Sequence, residues 1–213
     1  MDIAKFKSKP VMGIVRGVAL ELIEPIVEAV ASAGLETIEI TMNTANAPAL
    51  IRQAVRSARK RLTVGAGTVL TMDQLRSALD AGATFIVMPA LIRDVTEYCV
   101  KEKVPVFPGA LSPQEIYDAH MAGAAMVKVF PAKFFGPGYF REIKGPFDKI
   151  SLLACGGVTP ENMKDYFAGG ADAVSFGSSV FRKEWMASGD FKSISRLVAD
   201  YMQHLPEQYQ KAA

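Results

Sequence analysis

A recurrence constrains this chain more than any single residue does: short β-branched or apolar runs begin near positions 11, 37, 63, 84, 104, 126, 150 and 173, each followed by a helical pattern. The step of ~20 to 26 residues is what one strand, one helix and two tight connections require. The predicted strands span residues 11–15, 37–40, 63–65, 84–87, 104–107, 126–130, 150–153 and 173–176. Between them, residues 20–33 place Leu22, Ile23, Ile26, Val27 and Val30 on one helical face. The last helix does the same with Ile194, Leu197, Val198, Tyr201, Met202 and Leu205. Several helices end in an Ala-Gly or Gly-Ala signal such as Ala81-Gly82-Ala83 or Ala122-Gly123-Ala124, which suits a left-handed C-cap. Eight parallel βα units predict an α/β fold, a single (β/α)₈ barrel domain over residues 1–213. The competing open doubly wound sheet lacks its Gly-x-Gly-x-x-Gly signal at the first βα turn.

Half of the 213 residues are hydrophobic, enough for one sizeable core, and the formal charge of +2 gives no reason to expect nucleic acid or an anionic membrane as partner. No apolar segment approaches the roughly 20 residues of a bilayer span. Two cysteines, Cys99 and Cys155, make no disulfide framework, and no apolar signal core opens the chain, so a cytoplasmic location is expected. His120 and His204 lack partners at ligand spacing, and we expect no metal.

In such a barrel, chemistry belongs at the C-terminal ends of the strands. There the sequence places Arg16-Gly17, Gly65-Ala66-Gly67-Thr68, Met88-Pro89, Pro108-Gly109, Cys155-Gly156-Gly157 and Gly177-Ser178-Ser179. Lys128 is the oddest residue, a cation inside the apolar run Met126 to Pro131. It must be paired, neutralised or used. Alternation along the strands sends Ile38, Ile40, Val127 and Val129 towards the helices, and therefore turns Glu39 and Lys128 into one interior. A structural ion pair would account for both, but buried pairs often fail to offset their desolvation. The chemical alternative is a Schiff-base lysine, its pKa lowered by burial from about 10.4 towards neutrality, beside a carboxylate that moves protons. The glycines after the seventh and eighth strands, with Ser178 and Ser179, offer backbone and hydroxyl donors for a phosphate. Thr159-Pro160 reads as an ordinary helix N-cap and first-turn proline.

These residues together resemble the class I aldolases that cleave 2-keto-3-deoxy-6-phosphogluconate and 4-hydroxy-2-oxoglutarate. The resemblance runs from Gly13-Ile14-Val15-Arg16-Gly17 to Gly177-Ser178. It rests most on Glu39-Ile40-Thr41, Gly65-Ala66-Gly67-Thr68-Val69, Pro108-Gly109, Val127-Lys128-Val129-Phe130-Pro131-Ala132 and Gly156-Gly157-Val158. It implies that Lys128 forms the Schiff base and Glu39 shuttles protons. Thr68 would hold the pyruvyl carboxylate, Arg16, Pro89 and Phe130 would line the pocket, and Gly156, Gly157 and Ser178 would meet the phosphate. No cofactor is implied. The expected partners are a 2-keto-3-deoxy sugar acid phosphate, pyruvate and two further copies of the chain in a homotrimer.

Two positions depart from the commonest family pattern: Asn43 stands where an arginine is expected, and Cys155 where a threonine that influences C4 stereospecificity is expected. Asn43, Phe135-Gly136-Pro137 and Val158-Thr159-Pro160-Glu161-Asn162 resemble the 2-keto-3-deoxy-6-phosphogalactonate branch instead. Outside the aldolases, a sugar-phosphate epimerase or isomerase would use Lys128 and Glu39 as an acid–base pair without covalent chemistry. A catalytically silent phosphate-metabolite binder would use neither.

Overall fold

The structure, a computed structural model, describes residues 1–210. Nine short parallel strands form one sheet: β1 (Val11–Val15), β2 (Thr37–Thr41), β3 (Thr63–Gly67), β4 (Ile86–Val87), β5 (Val106–Phe107), β6 (Gly109–Ala110), β7 (Val127–Val129), β8 (Leu152–Cys155) and β9 (Ala173–Phe176). Their order, β5-β4-β3-β2-β1-β9-β8-β7-β6, begins and ends on two pieces of the same segment. Proline has no N–H for a ladder, so Pro108 splits the fifth strand. Its first half pairs with β4 and its second with β7, while the Lys128 amide donates to the Pro108 carbonyl at 2.8 Å. Counted by βα unit, the walls number eight and the ring closes through Pro108.

The helices are α1 (Ile3–Ser8), α2 (Ile23–Ser32), α3 (Ala47–Ala58), α4 (Met72–Asp80), α5 (Arg93–Lys101), α6 (Pro113–Met121), α7 (Gly136–Lys144), α8 (Met163–Ala168), α9 (Lys183–Ser188), α10 (Phe191–Gln203) and α11 (Glu207–Gln210). Local chemistry sets several of their starts. Thr71 accepts from the Gln74 amide ahead of α4, and Ser112 and Glu115 form a reciprocal capping box ahead of α6.

Alternation along the strands separates two cores. Val11, Ile38, Ile40, Val64, Ala66, Ile86, Val127, Val129 and Ala154 face the helices, whereas Met12, Phe85, Val87, Phe107, Met126, Leu153 and Ala173 fill the barrel with Phe6 of α1. Phe6 meets Phe107 edge-on at 5.9 Å, so α1 stoppers the N-terminal end. The barrel floor is therefore apolar and closed, and only the opposite end can admit a polar ligand.

The expected boundaries shift at several places. Of the eight expected strands, the second and third extend to Thr41 and Gly67, the fourth starts only at Ile86, and the one expected over 150–153 is β8, from Leu152 to Cys155. The expected helix over 20–33 is a 3-10 turn (Leu20–Leu22) leading into α2. Thr159 is not a helix cap: its amide donates to the Asn162 side chain at 2.8 Å, and α8 starts at Met163. No helix among the described residues is long and apolar enough to cross a membrane.

Candidate active site

Three inward positions near the middle of the barrel are glycines, and each leaves space that something else occupies. A Cβ on Gly65 would lie 2.5 Å from the Phe85 ring, and one on Gly109 would lie 2.1 Å from the Pro89 carbonyl oxygen. At Gly67 it would lie 2.4 Å from Oε1 of Glu39. Any side chain there would take the volume that the carboxylate fills.

Glu39 is fully buried, and neither of its carboxylate oxygens has a hydrogen-bond partner. Lys128, in register with Gly109 on one side and Leu153 on the other, brings its Nζ to 3.9 Å from Glu39 Oε1. The same Nζ sits 5.5 Å from the centroid of the Phe130 ring. Burial pushes the Glu39 pKa above the ordinary carboxylate value, against the pull of Lys128 and Arg16. For Lys128, burial acts to lower the pKa, but the Glu39 carboxylate and Cys155 outweigh it and hold the ammonium above the ordinary lysine value. This corrects the expectation of a lysine depressed by burial alone. The two groups titrate as a pair. With the proton on Glu39, burial and Arg16 both favour the free amine on Lys128.

The remaining candidates ring this pair at the C-terminal ends of the strands. Arg16, exposed beyond β1, donates from Nη2 to Thr68 Oγ1 at 3.2 Å, which joins the ends of β1 and β3. Thr68 itself has a left-handed backbone, φ 53°. Asn43 is exposed in the loop after β2 and Pro89 is half-buried after β4. Phe130 lies 41% exposed at the end of β7, roofing Lys128. Cys155 closes β8 and is buried. Gly156 and Gly157 follow with φ of 93° and 85°, conformations that L side chains rarely adopt. Ser178 is exposed in the loop after β9. A cavity of about 340 Å³ opens beside Pro89, Gly109, Ala110 and Phe130; neither Lys128 nor Glu39 is among its lining residues.

Two groups that sequence reasoning did not single out hold this rim in place. Thr44 Oγ1 accepts from the Gly17 amide and bonds Thr41 Oγ1, both at 2.9 Å, so the loop bearing Asn43 is tied to the one bearing Arg16. Tyr201, read from sequence as one more apolar position of the last helix, donates its hydroxyl to the Val158 carbonyl at 2.7 Å. A hydroxyl in an otherwise apolar stripe was the available signal.

A buried lysine, a carboxylate without hydrogen-bond partners and a polar rim on an apolar barrel can support covalent attack on a carbonyl with proton transfer alongside. Comparison with known proteins agrees in kind. The family described as KDPG and KHG aldolase matches residues 3–197. The 2-dehydro-3-deoxy-phosphogluconate aldolase of Pseudomonas aeruginosa is 33% identical over 184 residues, 86% of this chain and 83% of that protein. The 2-dehydro-3-deoxy-6-phosphogalactonate aldolase of Escherichia coli is 33% identical over 175 residues, 81% of this chain and 85% of that one. Among solved structures, a native KDPGal structure superposes with a TM-score of 0.87 at 30% identity, covering 94% of this chain and 96% of that chain. A KDPG aldolase from Legionella pneumophila, with pyruvate captured as a covalent carbinolamine, superposes at 0.85 and 26% identity, covering 92% and 96%.

Proposed function

We propose, from the premise that the chain belongs to the KDPG and KHG aldolase family, that it cleaves 2-keto-3-deoxy-6-phosphogluconate to pyruvate and glyceraldehyde 3-phosphate through a Schiff base on Lys128. As an aldolase it is a carbon–carbon lyase. The observation that carries the mechanism is the Lys128–Glu39 pair, 3.9 Å apart and sealed from solvent at the open half of the barrel.

The Lys128 amine attacks the C2 ketone, giving a carbinolamine. Glu39 supplies the proton that lets the C2 hydroxyl leave as water, and the resulting iminium nitrogen becomes the electron sink. Glu39, now a carboxylate, takes the proton of the C4 hydroxyl. The C3–C4 bond breaks with its electron pair flowing to the iminium, glyceraldehyde 3-phosphate departs, and an enamine remains. Glu39 returns the proton to C3, and water releases pyruvate from the lysine. Thr68, held by Arg16 and helped by Asn43, orients the substrate carboxylate. Pro89, Phe130 and Cys155 shape the pocket, and Gly156, Gly157 and Ser178 take the phosphate end.

The galactonate-derived epimer is the second candidate substrate, favoured by Asn43 and by the similarity to the Escherichia coli phosphogalactonate enzyme. Unphosphorylated 4-hydroxy-2-oxoglutarate is a third. The proposal extends to one catalytic domain working as a homotrimer in the cytoplasm. Exposed Phe134, Phe135 and Met121, at 71%, 55% and 65%, support self-association, and two free buried cysteines suit a reducing compartment.

Borohydride reduction in the presence of pyruvate is the test. Wild-type protein should carry a reduced pyruvate adduct on Lys128, and Lys128→Met should carry none and release no pyruvate from any candidate keto acid. Activity retained by Lys128→Met, with no adduct on Lys128 in the wild-type protein, would overturn the Schiff base on this lysine.

A further inference from the structure

We propose that the Tyr201 hydroxyl is a positioning group for the phosphate end of the site, locking the loop after β8 into one arrangement against the end of β9 and so setting the preference for phosphorylated substrates. The proposal rests on the reading that Gly156, Gly157 and Ser178 meet the phosphate.

Tyr201 lies on α10 and is 1% exposed. Its hydroxyl donates to the carbonyl of Val158, the residue directly after Gly156-Gly157. The hydroxyl therefore holds the Gly156-Gly157 loop from beneath. The Tyr201 ring packs 4.5 Å from that of Phe176, the last residue of β9, so the ring is fixed to the strand that delivers Ser178. On the other side of the loop, the Asn162 amide donates to the Gly157 carbonyl at 3.0 Å. Packing alone would be served by phenylalanine, and a buried hydroxyl costs free energy unless it is hydrogen-bonded. Burial holds the phenol up at about 12, so it remains a donor throughout the working pH range. The hydrogen bond and ring contact of Tyr201 go to Val158 and Phe176, not to the pair at Lys128 or the rim at Arg16 and Thr68. Its effect should fall on the phosphate end alone.

The experiment compares Tyr201→Phe with the wild-type full-length chain on three readouts. These are KM and kcat for 2-keto-3-deoxy-6-phosphogluconate, competitive inhibition by inorganic phosphate, and borohydride trapping of pyruvate, which has no phosphate. We expect KM and the phosphate inhibition constant to rise together by roughly three- to tenfold, the scale of one lost net hydrogen bond, with kcat and the pyruvate dependence of trapping unchanged. Asn162→Ala, which frees the same loop from its other side, should shift KM in the same direction and keeps the test open if Tyr201→Phe does not fold. An unchanged phosphate dependence in both variants, or an equal loss for pyruvate and the phosphorylated substrate, overturns the role of Tyr201. If inorganic phosphate does not compete in the wild-type protein, the phosphate-end reading itself fails and the proposal falls with it.

Discussion

Lys128 Nζ stands 3.9 Å from Glu39 Oε1 across the barrel interior, too far for a direct hydrogen bond and too close for either group to ionise independently. Structural ion pairs are ordinarily closed by short hydrogen bonds, as Lys144 and Asp172 are here at 2.9 Å. The Glu39 carboxylate instead keeps both oxygens without a hydrogen-bond partner, the arrangement expected of a group that exchanges a proton with something that comes and goes.

Glu39→Gln keeps the shape of the side chain and removes its capacity to take a proton. The loss of a positioned acid–base group predicts a fall in kcat of about 10² to 10⁴. Removing the carboxylate also leaves burial and Arg16 acting on Lys128 without their main opponent, so its pKa should drop. Borohydride trapping of pyruvate, followed against pH, should then proceed at lower pH than in the wild type. A variant with wild-type kcat would exclude Glu39 from proton transfer.

The raised pKa of Glu39 has a consequence for stability. In the folded chain the group holds its proton above the unfolded value of 4.5, so between those two pKa values the folded state binds more protons than the unfolded one. Its contribution is most favourable below pH 4.5 and is lost as pH rises towards the folded pKa. Lys128 is raised from 10.5, so its contribution is fully present below that value and lost only above it. Urea midpoints measured from pH 4.5 to neutral should therefore show the wild type losing ground to Glu39→Gln as pH rises. A difference that grows in the opposite direction would contradict the assignment.

The barrel was legible because period-2 and period-3.6 patterns alternate eight times, and the inward turn of Glu39 and Lys128 followed from their β-branched neighbours. Pairing across the barrel could be inferred from parity. The break at Pro108 could not, because whether a proline interrupts a ladder depends on which neighbour would have received its N–H. The α1 stopper escaped notice for a related reason. A six-residue helix with Phe6 as its buried residue carries too little periodicity to announce itself. Lys128 shows the limit on the chemical side. Burial can be read from its apolar flanks, but the net direction of its pKa depends on a carboxylate 89 positions away in sequence and on Cys155.

Gly67→Ala tests whether space, as well as charge, is arranged around Glu39. The added methyl would sit 2.4 Å from Oε1 and 2.6 Å from the carboxyl carbon, forcing the carboxylate aside in a packed interior. Overpacking of this kind costs about 1 to 3 kcal/mol, visible as a lowered Tm. Because the displaced atoms are the proton-transferring ones, kcat should fall further than Tm alone explains when both are assayed well below the melting range. Full activity at reduced stability would show that the carboxylate position is not critical.

Cys155 is where the identity of the sugar acid should be decided. It closes β8, buried and electrostatically coupled to Lys128, at the position where the resembling aldolases commonly carry a threonine. Cysteine is a weak hydrogen-bonding group, whereas a threonine hydroxyl both donates and accepts. Beside the C2-bound substrate, such a hydroxyl can read the configuration at C4. Cys155→Thr should change the ratio of kcat/KM between the gluconate- and galactonate-derived epimers by roughly tenfold, the scale on which a hydrogen-bonding group discriminates when one partner is left unpaired. Pyruvate has no C4, so its trapping by borohydride should be unchanged in yield. Measuring both epimers on the wild type and the variant gives the preference of the native site and its dependence on this side chain. An unaltered ratio would move the stereochemical decision to Asn43 and the loop after β2.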